Sequence, residues 1–241
     1  MLKRLVSNIL QHFKNKPVLG VVVVGFIACV VVAICLLVYS KEDEWKEIDT
    51  LTTNIKPEYK ALISEAKDVL EHPEIYNDYM GERHFSDVFY IHYDPLFQIL
   101  GYLLQDIDGD GSDELIFGEN DVNPEGSWNG VVYDMYTISD GQVVHVLMGW
   151  ERNRYYLSEN GVIINEFGNS ANESGCYYYK FVGQDLELIE GYVENIDNDG
   201  NKVIHYDTET QVKEISEKEK LELQKKYTIL YPKFVPFISV P

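Results

Sequence analysis

The sequence predicts an α+β protein: a single N-terminal transmembrane helix, then an extracellular domain of antiparallel β-meander, with propeller-like hairpins packed against flanking helices. Three observations predict it. Residues 17–39 form an uncharged apolar run, residues 57–70 carry an apolar stripe at helical spacing, and from Ile99 onward aromatic and aliphatic segments alternate with glycine turns.

The apolar run from Pro17 to Tyr39 holds 23 residues. At a rise of about 1.5 Å per residue it can cross a hydrocarbon core of roughly 30 Å. Lys3, Arg4, Lys14 and Lys16 precede it, and Glu42, Asp43 and Glu44 follow it. Basic residues stay on the cytoplasmic side. Residues 1–16 are therefore expected inside as a cytoplasmic tail, 17–39 as the transmembrane helix, and 40–56 outside as a juxtamembrane stalk. A cleaved signal peptide is the main rival, with an apolar region of about 7–15 residues and a small-residue cleavage site. This run is longer, and Val38-Tyr39-Ser40 fits such a site poorly. A lipoprotein signal ending at Cys29 is disfavoured by the ten mostly apolar residues beyond it.

Residues 57–241 are expected to form the extracellular helix and β-meander domain. Tyr59, Leu62, Ile63, Ala66, Val69 and Leu70 recur on one helical face, and Pro57 suits a first helical turn. Pro73 ends that pattern. Glu74 to Pro95 reads as loop with short helical turns. Three units then follow, each an aromatic segment, a glycine turn and an aliphatic segment: Tyr133–Tyr136 to Gly141, Arg154–Tyr156 to Gly161, and Tyr177–Tyr179 to Gly183. Asp140-Gly141 and Asn160-Gly161 carry the residues of a two-residue type I′ hairpin, in which both central residues have φ > 0. Three hairpins are too few for a propeller, which takes at least about four blades of four strands. One curved sheet, or an incomplete propeller-like arrangement against the helix near Leu62, is the expectation. Ser216-Glu217-Lys218-Glu219 is a capping box, so a helix should run from there to about Tyr227. Pro232 and Pro236 keep the tail extended.

The chain carries a net charge of −20. Its first 39 residues hold four basic side chains and no acid, so the rest sets 16 basic groups against 40 acidic ones, a net −24. Such a surface disfavours nucleic acid and anionic lipid as partners and attracts cations. With 18 Tyr and 10 Phe, the chain can still bury a core of ordinary size. Cys29 and Cys35 lie in the apolar run and Cys176 stands alone beyond it, so no disulfide or zinc cluster is expected there.

The chemistry concentrates in Gln105–Phe117, QDIDGDGSDELIF. Asp106, Asp108 and Asp110 alternate, Gly111 follows, and Glu114 is the ninth residue counted from Asp106. Carboxylates this close repel one another unless a cation sits between them. Ca²⁺ takes about 6–8 oxygen ligands at roughly 2.3–2.6 Å, and loops of this type supply them. The expected ligands are the carboxylates of Asp106, Asp108, Asp110 and Glu114, with the carbonyl of Ser112. Phe117 stands where an EF-hand has its bidentate Glu, and a β-type run, Leu115–Phe117, follows instead of a second helix.

Tyr102 to Ile116 resembles the Y-x-x-x-D-I-D-G-D-G-x-x-E-L-I signature of many secreted or anchored bacterial proteins. It is similar to the Ca²⁺ loops of FG-GAP (integrin-type propeller) repeats and, more distantly, of dockerins. The motif covers about 15 residues. It implies a cation loop on a β scaffold and no particular reaction. The stretch Gly149–Gly161 resembles one choline-binding wall repeat, a module that works in tandem copies.

Asn195–Gly200 echoes the first loop but has Val203 at the closing position, so a plain hairpin turn is expected. His84, His92 and Asp94 are too loosely spaced for a metal cluster. The G-x-S-x-G, HExxH, P-loop and dinucleotide patterns are all absent. The sequence thus points to a Ca²⁺-bearing cell-surface module, anchored in the membrane and not an enzyme, with a wall glycan or surface protein as partner. A wall polysaccharide-binding module using Trp128, Trp150 and the tyrosines is the second reading. A hydrolase with unidentified catalytic carboxylates is the third.

Overall fold

The structure is a computed structural model that describes residues 55–76, 84–91, 99–120, 130–197 and 199–237. The described residues belong to one compact unit that begins at Ile55. The expected cytoplasmic tail, transmembrane run and most of the stalk lie outside them. Among the described residues no helix is long and apolar enough to cross a membrane.

Helix α1, Pro57–Glu71, opens on a proline in its first turn, where a missing N–H costs no hydrogen bond. His72 N–H closes its last turn on Asp68 O at 2.9 Å, and the short helix α2, Pro73–Tyr76, follows. The apolar stripe read from the sequence is the face α1 buries. Tyr59, Ala66, Val69 and Leu70 are buried, and Leu62 and Ile63 pack against the same cluster. A 3₁₀ turn, Asp87–Tyr90, is capped by Ser86 Oγ, which accepts from Val88 N.

Among the described residues eleven strands follow, interrupted near the end by one more helix. They are β1 (Leu100–Gln105), β2 (Glu114–Glu119), β3 (Val132–Ser139), β4 (Gln142–Met148), β5 (Asn153–Leu157), β6 (Val162–Gly168), β7 (Glu173–Val182), β8 (Asp185–Ile196), β9 (Lys202–Asp207), β10 (Val212–Glu214) and β11 (Val235–Pro236). Helix α3, Glu217–Gln224, lies between β10 and β11 and starts on the expected capping box. All strands join one antiparallel sheet in the order β10-β9-β8-β7-β6-β5-β3-β2-β1-β11, with β4 paired to β3.

The meander and flanking helices are as expected, but the hairpins are not separate propeller-like blades. The outer strand of each continues into the next: β6 pairs with β7 from Val162↔Lys180 to Gly168↔Ser174, leaving no blade boundary. Met148 of β4 faces Asp134 and Tyr155 of β5 faces Val132. β5 thus resumes the line of β4 after a tight excursion closed by the Trp150–Asn153 bridge. At the β3–β4 turn Asp140 and Gly141 both have positive φ, whereas at the β5–β6 turn only Gly161 does. The second turn is therefore not type I′. Ser158 Oγ shapes it instead, accepting from Val162 N and donating to Asn160 Oδ1.

Each face of the sheet carries an apolar cluster. On the first, α1, the 3₁₀ turn and Phe237 cover Leu115, Phe117 and Tyr136. Phe117 meets the Phe85, Phe89 and Phe237 rings at centroid separations of 5.8, 5.6 and 5.0 Å. Each such side chain contributes about 1.5–3 kcal/mol by leaving water. On the second face, Ile116, Met135 and Leu147 of β2–β4 share a cluster with Leu157, Ile163 and Phe181 of β5–β7 and with Phe234. The sheet coils far enough for its two halves to enclose this second core. That coil brings the β7–β8 turn to the β1–β2 loop, where Gly183 N donates to Asp108 Oδ2 at 3.1 Å.

Candidate functional site: an acidic loop closed by a buried glutamate

The loop between β1 and β2 is held by its own backbone. Asp106 Oδ1 accepts from Gly109 N at 2.8 Å and its Oδ2 from Gly111 N at 3.0 Å. Asp108 Oδ1 accepts from Asp110 N, and Asp110 Oδ1 from Ser112 N at 2.6 Å. Gly109 and Gly111 take φ of 79° and 89°, a conformation that costs little only without a Cβ.

Glu114, the first residue of β2, points inward and is 1% exposed. Its Oε2 accepts from Ile107 N at 2.9 Å and its Oε1 from Thr137 Oγ1 of β3 at 3.2 Å. Behind it Tyr59 of α1 donates its hydroxyl to Asp113 O. Burial, helped by the nearby charges of Asp108 and Asp110, pushes the Glu114 carboxyl up to about 7. Two hydrogen bonds do not offset that loss of water, so an ion-free protein holds this carboxyl half-protonated near neutral pH.

Of the four predicted carboxylate ligands, the structure brings three together. One carboxylate oxygen each from Asp106, Asp108 and Glu114 lie within 4.8 Å of one another. Oxygens on one shell of roughly 2.3–2.6 Å radius are separated by no more than its diameter, so a single ion can touch all three. Asp110 is exposed and stands outside this trio, its carboxylate turned to Ser112 N. The donor set is all oxygen, which suits a hard cation.

No protein-family model, curated protein or solved structure matches the chain. The site is read from its own geometry.

The second Asp-rich loop is a turn, as its sequence suggests. Asp197 Oδ1 accepts from Asp199 N and Asn201 N, and its Oδ2 from Asn201 Nδ2. These local bonds hold the Asp197 carboxyl below its usual range. His84 pairs with Glu65 at the surface, while His92, Asp94 and Trp128 lie outside the described residues. Cys176 is buried, and burial pushes its thiol up to about 12, so it is an inert core residue.

Two arrangements carried no local signal in the sequence. The first centres on Asp134, whose side chain is fully buried. Both its oxygens accept from Ser86 N at 3.0 Å, and Oδ1 also faces His145 Nε2 at 2.9 Å. The His145 ring stacks on Tyr136 at 4.4 Å. This cluster ties the 3₁₀ turn to β3 and β4. The second is an open cleft of about 460 Å³ on the β5–β7 face, lined by Asn153, Asn165, Phe167, Glu173, Tyr177 and Tyr179 among others.

Proposed function

We propose that this chain is a membrane-anchored cell-surface module in which one Ca²⁺ fixes the β1–β2 loop, and that the module binds or organises a surface partner rather than catalysing a reaction. The observation that carries the reading is the buried Glu114 carboxylate meeting those of Asp106 and Asp108. A buried carboxylate crowded by two others is stable as a charge only with a cation beside it. The similarity of Tyr102–Ile116 to secreted and anchored bacterial Ca²⁺ loops points the same way.

Ca²⁺ suits the site better than Mg²⁺, which requires near-ideal octahedral geometry and gives up water reluctantly. The ion supplies positive charge at the one place where the loop, β2 and the β7–β8 turn converge through Asp108 and Gly183. Its role on this reading is to hold the two halves of the coiled sheet in register. The anchor supports an outward-facing domain, because the basic residues precede the apolar run and the acidic ones follow it.

Titration calorimetry of the full chain in detergent tests the ion. Extracellular Ca²⁺ modules bind at roughly 10⁻⁴–10⁻³ M. Ca²⁺ heat in that range with weaker Mg²⁺ binding is expected, and no Ca²⁺ heat or equal affinity for Mg²⁺ would refute it. Protease added to intact cells tests orientation. It should remove the domain and leave a small membrane-bound fragment, whereas a mature chain released into the medium from near Lys41 would refute the anchor.

A further inference from the structure

The face of β5, β6 and β7 that supplies Leu157, Ile163 and Phe181 to the second core continues outward at the two-residue period of a strand. On β5 it runs through Tyr155 to Asn153, on β6 through Asn165 to Phe167, and on β7 through Tyr179 to Tyr177. Apolar core therefore grades into a mixed surface of amides and aromatic rings. This end of the strands is the one away from the turns that meet the acidic loop, so the feature is independent of the cation reading.

Glycines seat the rings. Gly175 lies opposite Phe167 and Gly191 opposite Tyr177. A Cβ at Gly175 would land on the Phe167 ring, and one at Gly191 on the Tyr177 ring. Each ring thus leans across the neighbouring strand, and the two stack at 5.1 Å with 26° between their planes. Both remain only partly buried. Around them the amides are held in place. Asn165, itself buried, donates through Nδ2 to Asn153 Oδ1 at 2.8 Å and to Arg154 O at 3.2 Å. Asn169 Nδ2 donates to Glu173 Oε1. Trp150 is half exposed beside them, its backbone paired to Asn153.

We propose that this cleft binds a neutral oligosaccharide. Pyranose rings present C–H groups on their faces, and those groups are attracted to the negative face of an aromatic ring. Sugar hydroxyls both donate and accept, and an Asn amide does the same. No Lys or Arg lines the cleft, and its single carboxylate, Glu173, is already hydrogen-bonded. In a chain of net charge −20, such a surface repels anions and offers a cation no strong partner. A volume of about 460 Å³ falls within the usual range for small-ligand sites.

Saturation-transfer NMR on the full chain in detergent tests the proposal, with cellotriose, triacetylchitotriose and maltotriose as probes and trilysine as the competing chemistry. Transfer to at least one trisaccharide is expected. Tyr177→Phe keeps the ring and should bind as the native chain does. Tyr177→Ala should weaken binding about tenfold. Because Tyr177 also covers Gly191, the exposed Asn169→Ala provides a second arm and should weaken binding without moving the melting temperature. No transfer to any saccharide, transfer to trilysine alone, or native binding in both alanine variants would overturn the proposal. Ca²⁺ removal should leave saccharide binding in place, so failure of the cation reading would not imitate failure of this one.

Discussion

The Glu114 carboxyl should set how stability and ion affinity depend on pH. Its folded-state value, raised to about 7 from an ordinary 4.5, means that folding favours the protonated form. The stabilising effect of that proton is complete below pH 4.5 and is lost as pH rises through 7. At about 1.4 kcal/mol per pH unit, the gap between the two values corresponds to about 3 kcal/mol. In EDTA the native chain should therefore lose about that much stability between pH 5 and pH 8 through this group. Glu114→Gln has no proton to lose and should lack this component. Gln cannot accept from both Ile107 N and Thr137 Oγ1 with equal ease, so the variant should be offset by about 1–3 kcal/mol at all pH values, which leaves the difference in slope intact. Ca²⁺ competes with the same proton, so affinity should rise by up to about tenfold per unit below pH 7 and then level off. Urea unfolding from pH 5 to 8, with EDTA and with Ca²⁺, measures both. Parallel curves for native and Glu114→Gln chains in EDTA would refute the burial argument. Equal Ca²⁺ stabilisation in the two would show that Glu114 is not a ligand.

Ca²⁺ at a hundredfold excess over Kd should stabilise the native chain by about 2.7 kcal/mol. Asp108→Ala should abolish most of the accompanying rise in melting temperature, whereas Asp197→Ala should leave it nearly unchanged, and identical behaviour would refute the ranking of the two loops. Asp134→Ala should cost about 3–5 kcal/mol in urea unfolding, because it strips Ser86 N and His145 of a buried partner. A loss below 1 kcal/mol would mean water replaces the carboxylate. Gly118→Ala should destabilise by about 1–3 kcal/mol through overpacking, since its Cβ would run into the Phe234 ring and Val131 O; a native-like melting temperature would show that the β2 face can yield.

Local chemistry was legible and long-range closure was not. The Ser216 capping box, the stripe on α1 and the Asp140-Gly141 turn depend on residues within a few positions of one another, and each formed as read. Asn160-Gly161 shows the limit: the pair allows a type I′ turn, but Ser158 Oγ competes for the backbone and imposes another. At the acidic loop, the alternation of carboxylates identified the segment. Which of them converge was decided by the burial of Glu114 under β3 and by Gly183, 75 residues from Asp108. Asp110 has the right spacing and faces solvent, because spacing fixes proximity along the chain and not direction. The Asp134–Ser86–His145 cluster joins three segments with no shared motif.

The sheet edge at β1 is completed by β11, through Gly101↔Pro236 and Tyr102↔Val235. Asn120 fastens that strand, donating from Nδ2 to Phe234 O at 2.7 Å and accepting at Oδ1 from Phe234 N at 2.9 Å. Phe234 and Phe237 from the same short tail enter the second and first cores respectively. A chain emerging from its N-terminus therefore makes every other strand before it has the one that seals both layers. Until β11 and Phe237 are delivered, the β1 backbone stays open to pairing with other chains, and the aromatic cluster around Phe117 lacks its lid. Assembly of this domain is in effect timed by the arrival of β11, and removal of the segment from α3 through Phe237 would leave a nearly whole sheet prone to self-association.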